Sequence, residues 1–330
     1  MEPEIENPHT ARIRDLERFP KVFFVDRDYP NLIIEVPSTL QPVVDSFKAN
    51  LHALHSAAHL PFLLSFYGAY MRALDRHVAA ERIRALDPED ITQSLDNPDY
   101  EKSEVYVNKM RERNVQATRI ARDSFEREYL GDEGRSRMAE QAINDLLPFL
   151  DHERVSVASK ELMRQSIVLL WVSLEALATD LFVAALNRNP KLTVLILRNE
   201  QCKKRFQSRD MSRIIEEHGF DLSNRMGDVL KSLGNLDDPE TIKEVFQVIC
   251  PNNESLRTAL AQPELWRLYQ RRNLLVHRAA VVDKQFLEKT GEDFEVGSKL
   301  PVVSEDVNRY FVFVRELGKE LATGVAGIMK

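Results

Sequence analysis

Residues 167–186 read Ile-Val-Leu-Leu-Trp-Val-Ser-Leu-Glu-Ala-Leu-Ala-Thr-Asp-Leu-Phe-Val-Ala-Ala-Leu. The stretch holds no Gly or Pro, is built of good helix formers, and is apolar nearly all round. A helix of this kind has two homes, a bilayer or the centre of a helical bundle. Glu175 and Asp180 decide between them, since each carboxylate would cost about 2.5–3.5 kcal/mol at mid-bilayer. A buried bundle helix is therefore expected, in a soluble cytoplasmic protein with no membrane partner. Only 11 of the 330 residues are Gly, and long tracts consist of Ala, Leu, Glu, Arg and Lys. That composition excludes an all-β chain and a Gly-looped doubly wound sheet, leaving a mainly α class. The two cysteines, Cys202 and Cys250, are too few for a disulfide framework or a four-ligand zinc site.

Breakers and periodicity divide the rest. Residues 1–9 are acidic and lack the basic and apolar regions of a targeting segment. Segments 21–25 and 31–36 predict two short strands of a hairpin joined by Asp-Arg-Asp-Tyr-Pro. Helices are expected over 40–60 and 62–86, parted by Pro61, then over 100–129 and 135–150. Pro148, Asp151 and His152 mark a boundary, giving an N-terminal, mostly helical regulatory or sensing domain at 1–153 and a second domain at 154–330. In the second, helices are expected over 157–187, 192–205, 210–217, 222–233, 238–249 and 263–280. A polar hairpin at 289–303 and a last helix capped by Ser304 complete it. Residues 1–150 carry 19 Lys and Arg against 26 Asp and Glu, whereas 151–330 carry 26 of each. Bulk charge gives no support for nucleic-acid binding, and only a local basic site in the second half could supply it.

The helix at 263–280 breaks its own pattern. At 100° per residue, Leu265, Leu268, Tyr269, Leu275, Val276 and Ala279 form an apolar stripe, with Arg272 near its centre. Asn273 and His277, four apart, stack along one edge, and Arg271 and Arg278 line the other. A guanidinium among apolar neighbours is costly unless it is paired or opens onto a cleft. One reading pairs Arg272 with Glu175 as a structural ion pair. The other makes Arg272, Asn273 and His277 a site for metal-free phosphodiester chemistry, in which an imidazole takes a proton and a guanidinium stabilises charge on phosphorus.

Arg272-Asn273-Leu274-Leu275-Val276-His277 resembles the R-N-x-x-x-H signature of the HEPN superfamily. Residues 271–291 are similar to that family's third bundle helix and its exit, and 171–186, with Glu175, to its first helix. Phe294-Glu295-Val296-Gly297 and the last helix resemble members with a hairpin after the motif. The resemblance covers about 155–330 and implies a HEPN-like helical bundle acting as a metal-independent endoribonuclease without cofactors. It further implies a homodimer whose motif helices face each other across one composite cleft. His277 would be the general base on the ribose 2′-hydroxyl, Arg272 would stabilise the phosphorane, and Asn273 would hold the helix end or the phosphate. The products would be a 2′,3′-cyclic phosphate and a 5′-hydroxyl, so the substrate is RNA. Family members often act as bacterial toxins or in abortive-infection and antiviral defence, with an antitoxin or activator protein as partner. Toxins silenced by a nucleotidyltransferase commonly carry Tyr two residues after the His. Here that position is Ala279, so the resemblance does not extend to that partner.

Other constellations read more plainly. His52, His55 and His59 share one helical face, yet no Asp or Glu lies between Phe47 and Tyr70 to support a metal, and no metal site is expected. Lys203, Lys204, Arg205, Arg209 and Arg213 form the densest basic run of the second half, either a solvated face or a phosphate-tracking patch that brings RNA to the motif helix. The acidic first half suggests restraint of an RNA-cutting site by phosphate mimicry. The alternative function is a catalytically silent HEPN-like module that binds RNA or a partner protein. A purely structural helical adaptor fits the composition but leaves the motif unexplained.

Overall fold

Side-chain caps set several helix starts in the protein, for which a computed structural model describes residues 8–25, 32–97, 99–206, 211–217 and 219–329. Helix α1 spans Pro8–Arg18 and α2 spans Gln41–Arg84. Pro61 lies inside α2 rather than between two helices. It removes one backbone donor, but Ala58 and Phe62 on either side are both buried, and their packing carries the helix through. Asp87 accepts the Glu89 N–H to start α3 (Pro88–Asp96), with Pro88 in its first turn. Ser103 caps α4 (Glu104–Tyr129) by accepting from the Tyr106 N–H. Asp132 and Glu133 begin α5 (Asp132–Leu146), at the end where negative charge is favoured.

The apolar stretch forms α6 (Glu153–Arg188). The single helix expected at 192–205 is two, α7 (Lys191–Arg198) and α8 (Glu200–Arg205), because the Asn199 side chain accepts from the Gln201 and Cys202 N–H groups and restarts the helix. Helices α9 (Met211–Glu217), α10 (Met226–Leu233), α11 (Pro239–Ile249) and α12 (Glu254–Leu260) follow. Helix α13 (Pro263–His277) carries the motif, and α14 (Lys284–Thr290) and α15 (Ser304–Ile328) end the chain's helical order. Ser304, expected as a cap, is the first helical residue. Val303 precedes it, with its N–H donating to Asp306.

The protein is thus mainly α. Among the described residues the expected hairpins do not form. Residues 22–25 and 32–37 have no ladder, and the connecting 26–31 lie outside the described residues. In the second case Asp283 accepts the Phe286 N–H and starts α14, whose last residues, 289–290, take up the beginning of the expected hairpin. Residues 298–300 pair back on the exit of α13 instead. Val282 N–H donates to Ser298 O at 2.9 Å and Leu300 N–H to Ala280 O at 2.8 Å, around an isolated antiparallel bridge between Val281 and Lys299.

Two compact units interleave along the chain: Met1–Phe19 with Leu60–Ser156, and Pro20–His59 with Val157–Lys330. The later change of unit falls three residues past the expected division at 153. Residues 20–59, however, belong with the second unit. Their apolar positions explain why: Leu40, Val44, Phe47, Leu51 and Leu54 of this segment are buried in the same core as α6. Around Trp171, Leu174, Ala178, Leu181 and Phe182 of α6 that core gathers Ile242, Val245 and Phe246 of α11 and Val307, Phe311, Val314 and Leu321 of α15. Each fully buried Leu or Phe contributes about 1.5–3 kcal/mol. By length and composition α6 could also cross a membrane. A smaller core in the first unit sets Ala69 and Ala73 of α2 against Phe125 of α4 and Met138 of α5. Beside it, buried Asp90 accepts from Tyr100 Oη and Lys109 Nζ, both at 2.8 Å, and pairs with Arg113.

Candidate functional site

Two neighbouring arginines on α13 have opposite environments. Arg271, placed by the helical wheel on the edge of the apolar stripe, is 4% exposed. Its Nε donates to Glu292 at 3.0 Å, its Nη1 lies 3.2 Å from Asp306, and its guanidinium lies near the rings of Phe294 and Tyr310. Arg272, expected at the centre of the stripe, is half-buried and opens onto a cleft. The wheel assumes one buried face, but α13 is covered on two sides. Leu265 and Leu268 enter the main core, whereas Leu274 enters a second cluster with Ala280, Val282, Phe286 and Leu300. Covering both sides turns Arg271 inward, and Val276 and Ala279 of the expected stripe are left exposed.

The cleft, about 530 Å³, is lined by Glu175, Asn235, Asp237, Tyr269, Gln270, Arg272, Asn273, Leu274, His277, Arg278, Asp283, Gln285, Phe286 and Lys289. Arg272 Nη1 donates to Asn273 Oδ1 at 2.9 Å and lies 3.4 Å from His277 Nε2. A guanidinium has donors only, so the second contact forms with the tautomer whose Nε2 carries the lone pair. Arg272 Nε is buried without a hydrogen-bond partner among the described residues. Arg272 also makes no ion pair with Glu175. The Glu175 carboxylate accepts instead from Trp171 Nε1 at 2.9 Å. Burial raises the Glu175 pKa above its ordinary value, opposed by the Trp171 hydrogen bond and the Arg272 charge. Trp171 packs against Tyr269 with ring centroids 4.9 Å apart, and this contact fixes Glu175 of α6 beside α13. Trp266 Nε1 donates to Lys289 O at 3.0 Å, which holds the end of α14 on the other wall.

The structure therefore brings Arg272, Asn273, His277, Arg278 and Glu175 to one cleft, and leaves Arg271 out of its lining. Lys203, Lys204 and Arg205 are exposed on α8 and lie outside the lining as well. Arg205 pairs with Asp238 at 3.1 Å, next to the cleft residue Asp237, and Lys203 lies 4.0 Å from Glu200. Arg213 pairs with Glu217, and Arg209 lies outside the described residues. The histidines of α2 do not converge. His55 and His59 are buried edge to face with centroids 5.4 Å apart, and His52 is exposed. Among the described residues no group of three His, Cys, Asp or Glu could hold a metal ion.

Sequence reasoning missed Asn235, Asp237, Asp283, Gln285 and Lys289. Asp283 was legible only as a helix cap before α14, and the polar turn ahead of α11 that supplies Asn235 and Asp237 has no signature of its own. Chemically the cleft offers an imidazole, a guanidinium beside it and carboxamides that orient. That set can take a proton from a hydroxyl and stabilise a charged phosphorus centre. No protein-family model matches the chain, and no curated protein and no solved structure is similar to it.

Proposed function

We propose that the protein is a metal-independent endoribonuclease of the HEPN type, acting in the cytoplasm as a toxin or antiviral effector. The carrying observation is the Arg272–Asn273–His277 cluster, joined by contacts of 2.9 and 3.4 Å within one polar cleft. In this reading His277 Nε2 takes the proton of a ribose 2′-hydroxyl. The 2′-oxygen attacks phosphorus, the bond to the 5′-oxygen breaks, and that oxygen is protonated by solvent or by the imidazolium of a second copy. Arg272 stabilises the charge on the phosphorane, and Asn273 holds the guanidinium in place. The exposed side of α13, with Val276 and His277, is the surface on which a second copy would pair. An antitoxin or activator protein would act on the same face. The test is cleavage of total cellular RNA in EDTA, with end-group mapping. Wild type should leave cyclic phosphate and 5′-hydroxyl ends, and Arg272→Ala and His277→Ala should each lower the rate about 10²–10⁴-fold. Equal cleavage by His277→Ala would overturn the assignment.

A second reading rests on the charge of the lining. Glu175, Asp237 and Asp283 offset Arg272, Arg278 and Lys289, so the cleft has little net attraction for a polyanion. A catalytically silent module that binds a protein or RNA would fit that balance. RNA bound without cleavage by an intact dimer would favour it.

A further inference from the structure

One groove of the first unit is cationic although that half of the sequence is acidic. It encloses about 820 Å³ and is lined by α4 residues from Tyr106 to Glu126 and by Arg82 of α2. Four guanidiniums face it: Arg82, Arg111, Arg119 and Arg122. All four are exposed, and none makes an ion pair or hydrogen bond with a described residue. The other cations of α4 are engaged. Lys109 and Arg113 pair with Asp87 and Asp90, and Arg127 donates to Asp123 O at 3.1 Å. Two carboxylates, Asp123 and Glu126, also line the groove, each four residues beyond an arginine, and neither pairs with it. Four positive charges against two negative leave the groove cationic, an arrangement that favours an anion lying in it.

We infer that this groove binds the phosphodiester backbone of a single nucleic-acid strand. Tyr106 to Glu126 covers 20 helical steps, about 30 Å, which suits several consecutive phosphates rather than one nucleotide. Arginine in place of lysine at all four positions offers forked donors matched to phosphate oxygens. Asn114, between Arg111 and Arg119, adds a neutral donor to the same wall. The inference does not depend on chemistry at the α13 cleft, because a strand held here need not be cut.

The test uses the full chain and labelled 20-nucleotide probes, one of 2′-O-methyl RNA, which cannot undergo 2′-hydroxyl attack, and one of DNA. Binding is followed by anisotropy between 50 and 200 mM salt. The triple variant Arg111→Gln/Arg119→Gln/Arg122→Gln should weaken both probes about tenfold or more and lower the salt slope by about 2, at about 0.7 per phosphate contact. Loss with only one probe would assign the groove to that nucleic acid. The control Arg76→Gln/Arg135→Gln/Arg154→Gln removes the same charge at exposed arginines outside the groove, and should leave affinity near wild type. No binding by wild type, or equal loss in the control, would overturn the inference. So would competition by polyglutamate as strong as by oligonucleotide, which would point to an acidic protein segment instead.

Discussion

At the scale of single residues, the contrast between Arg271 and Arg272 separates stability from chemistry. Arg271→Met leaves the largely buried Glu292 carboxylate without its cation, while Asp306 keeps Arg309 and the Val303 N–H, and should cost about 3–5 kcal/mol in urea unfolding. Arg272→Ala removes a half-buried guanidinium with no ion pair, so its cost should stay within about 1 kcal/mol while activity falls. Glu175 gives a pH signature. Its folded pKa is raised above 4.5, chiefly by burial. Its contribution to stability is therefore present below 4.5 and lost as pH rises through the folded value. Glu175→Gln should then raise the urea midpoint at pH 7 and leave it unchanged at pH 4. Burial pushes the thiols of Cys202 and Cys250 up to about 11. At pH 8 about one in a thousand would be thiolate, so neither should react with a thiol reagent until the protein unfolds.

At the scale of elements, the end of α13 is the strained part of the site. Ala279 and Ala280 follow His277 with φ of 49° and 65°, a left-handed conformation that disfavours residues bearing a Cβ. The Ala280 N–H reaches back to Leu274 O at 3.1 Å and closes the helix, in a motif that ordinarily takes glycine. Ala279→Gly should stabilise by about 0.5–1 kcal/mol in thermal or urea unfolding. Glycine is required elsewhere. A Cβ on Gly227 of α10 would strike the backbone of Val183 on α6, which cannot move aside as a side chain can. Asn187 fixes the same crossing, accepting the Gly227 N–H at 2.7 Å and donating to Asp228 at 2.8 Å. Gly227→Ala should cost about 1–3 kcal/mol.

At the scale of the molecule, interleaving governs what can be removed. Deleting residues 1–150 to release a restrained nuclease would also delete Val44, Phe47, Leu51 and Leu54 from the core around α6. The truncated chain should lose cooperative unfolding, as followed by the fluorescence of Trp171 and Trp266. Both tryptophans lie in the second unit, so the signal reports that unit alone. A preserved transition would show that 20–59 is dispensable. Restraint by the first unit is better tested by substitutions within 60–156, where the second unit's core is untouched.

Much of this was legible in local chemistry. Helix formers and scarce glycine gave the mainly α class, and the all-round apolar stretch announced a central helix. The Arg272–Asn273–His277 cluster was visible because Asn273 and His277, four apart, share a helix face whatever surrounds them, and the long Arg272 side chain reaches both. Tertiary structure decided the rest. Which arginine is buried depended on α13 being covered from two sides, and Pro61 was absorbed because packing on either side outweighed one missing hydrogen bond. The partners of 20–59, and of 298–300, lie far away or out of order in the chain. Local sequence fixes what a segment can form, but the burial of each face is set by elements that arrive from elsewhere.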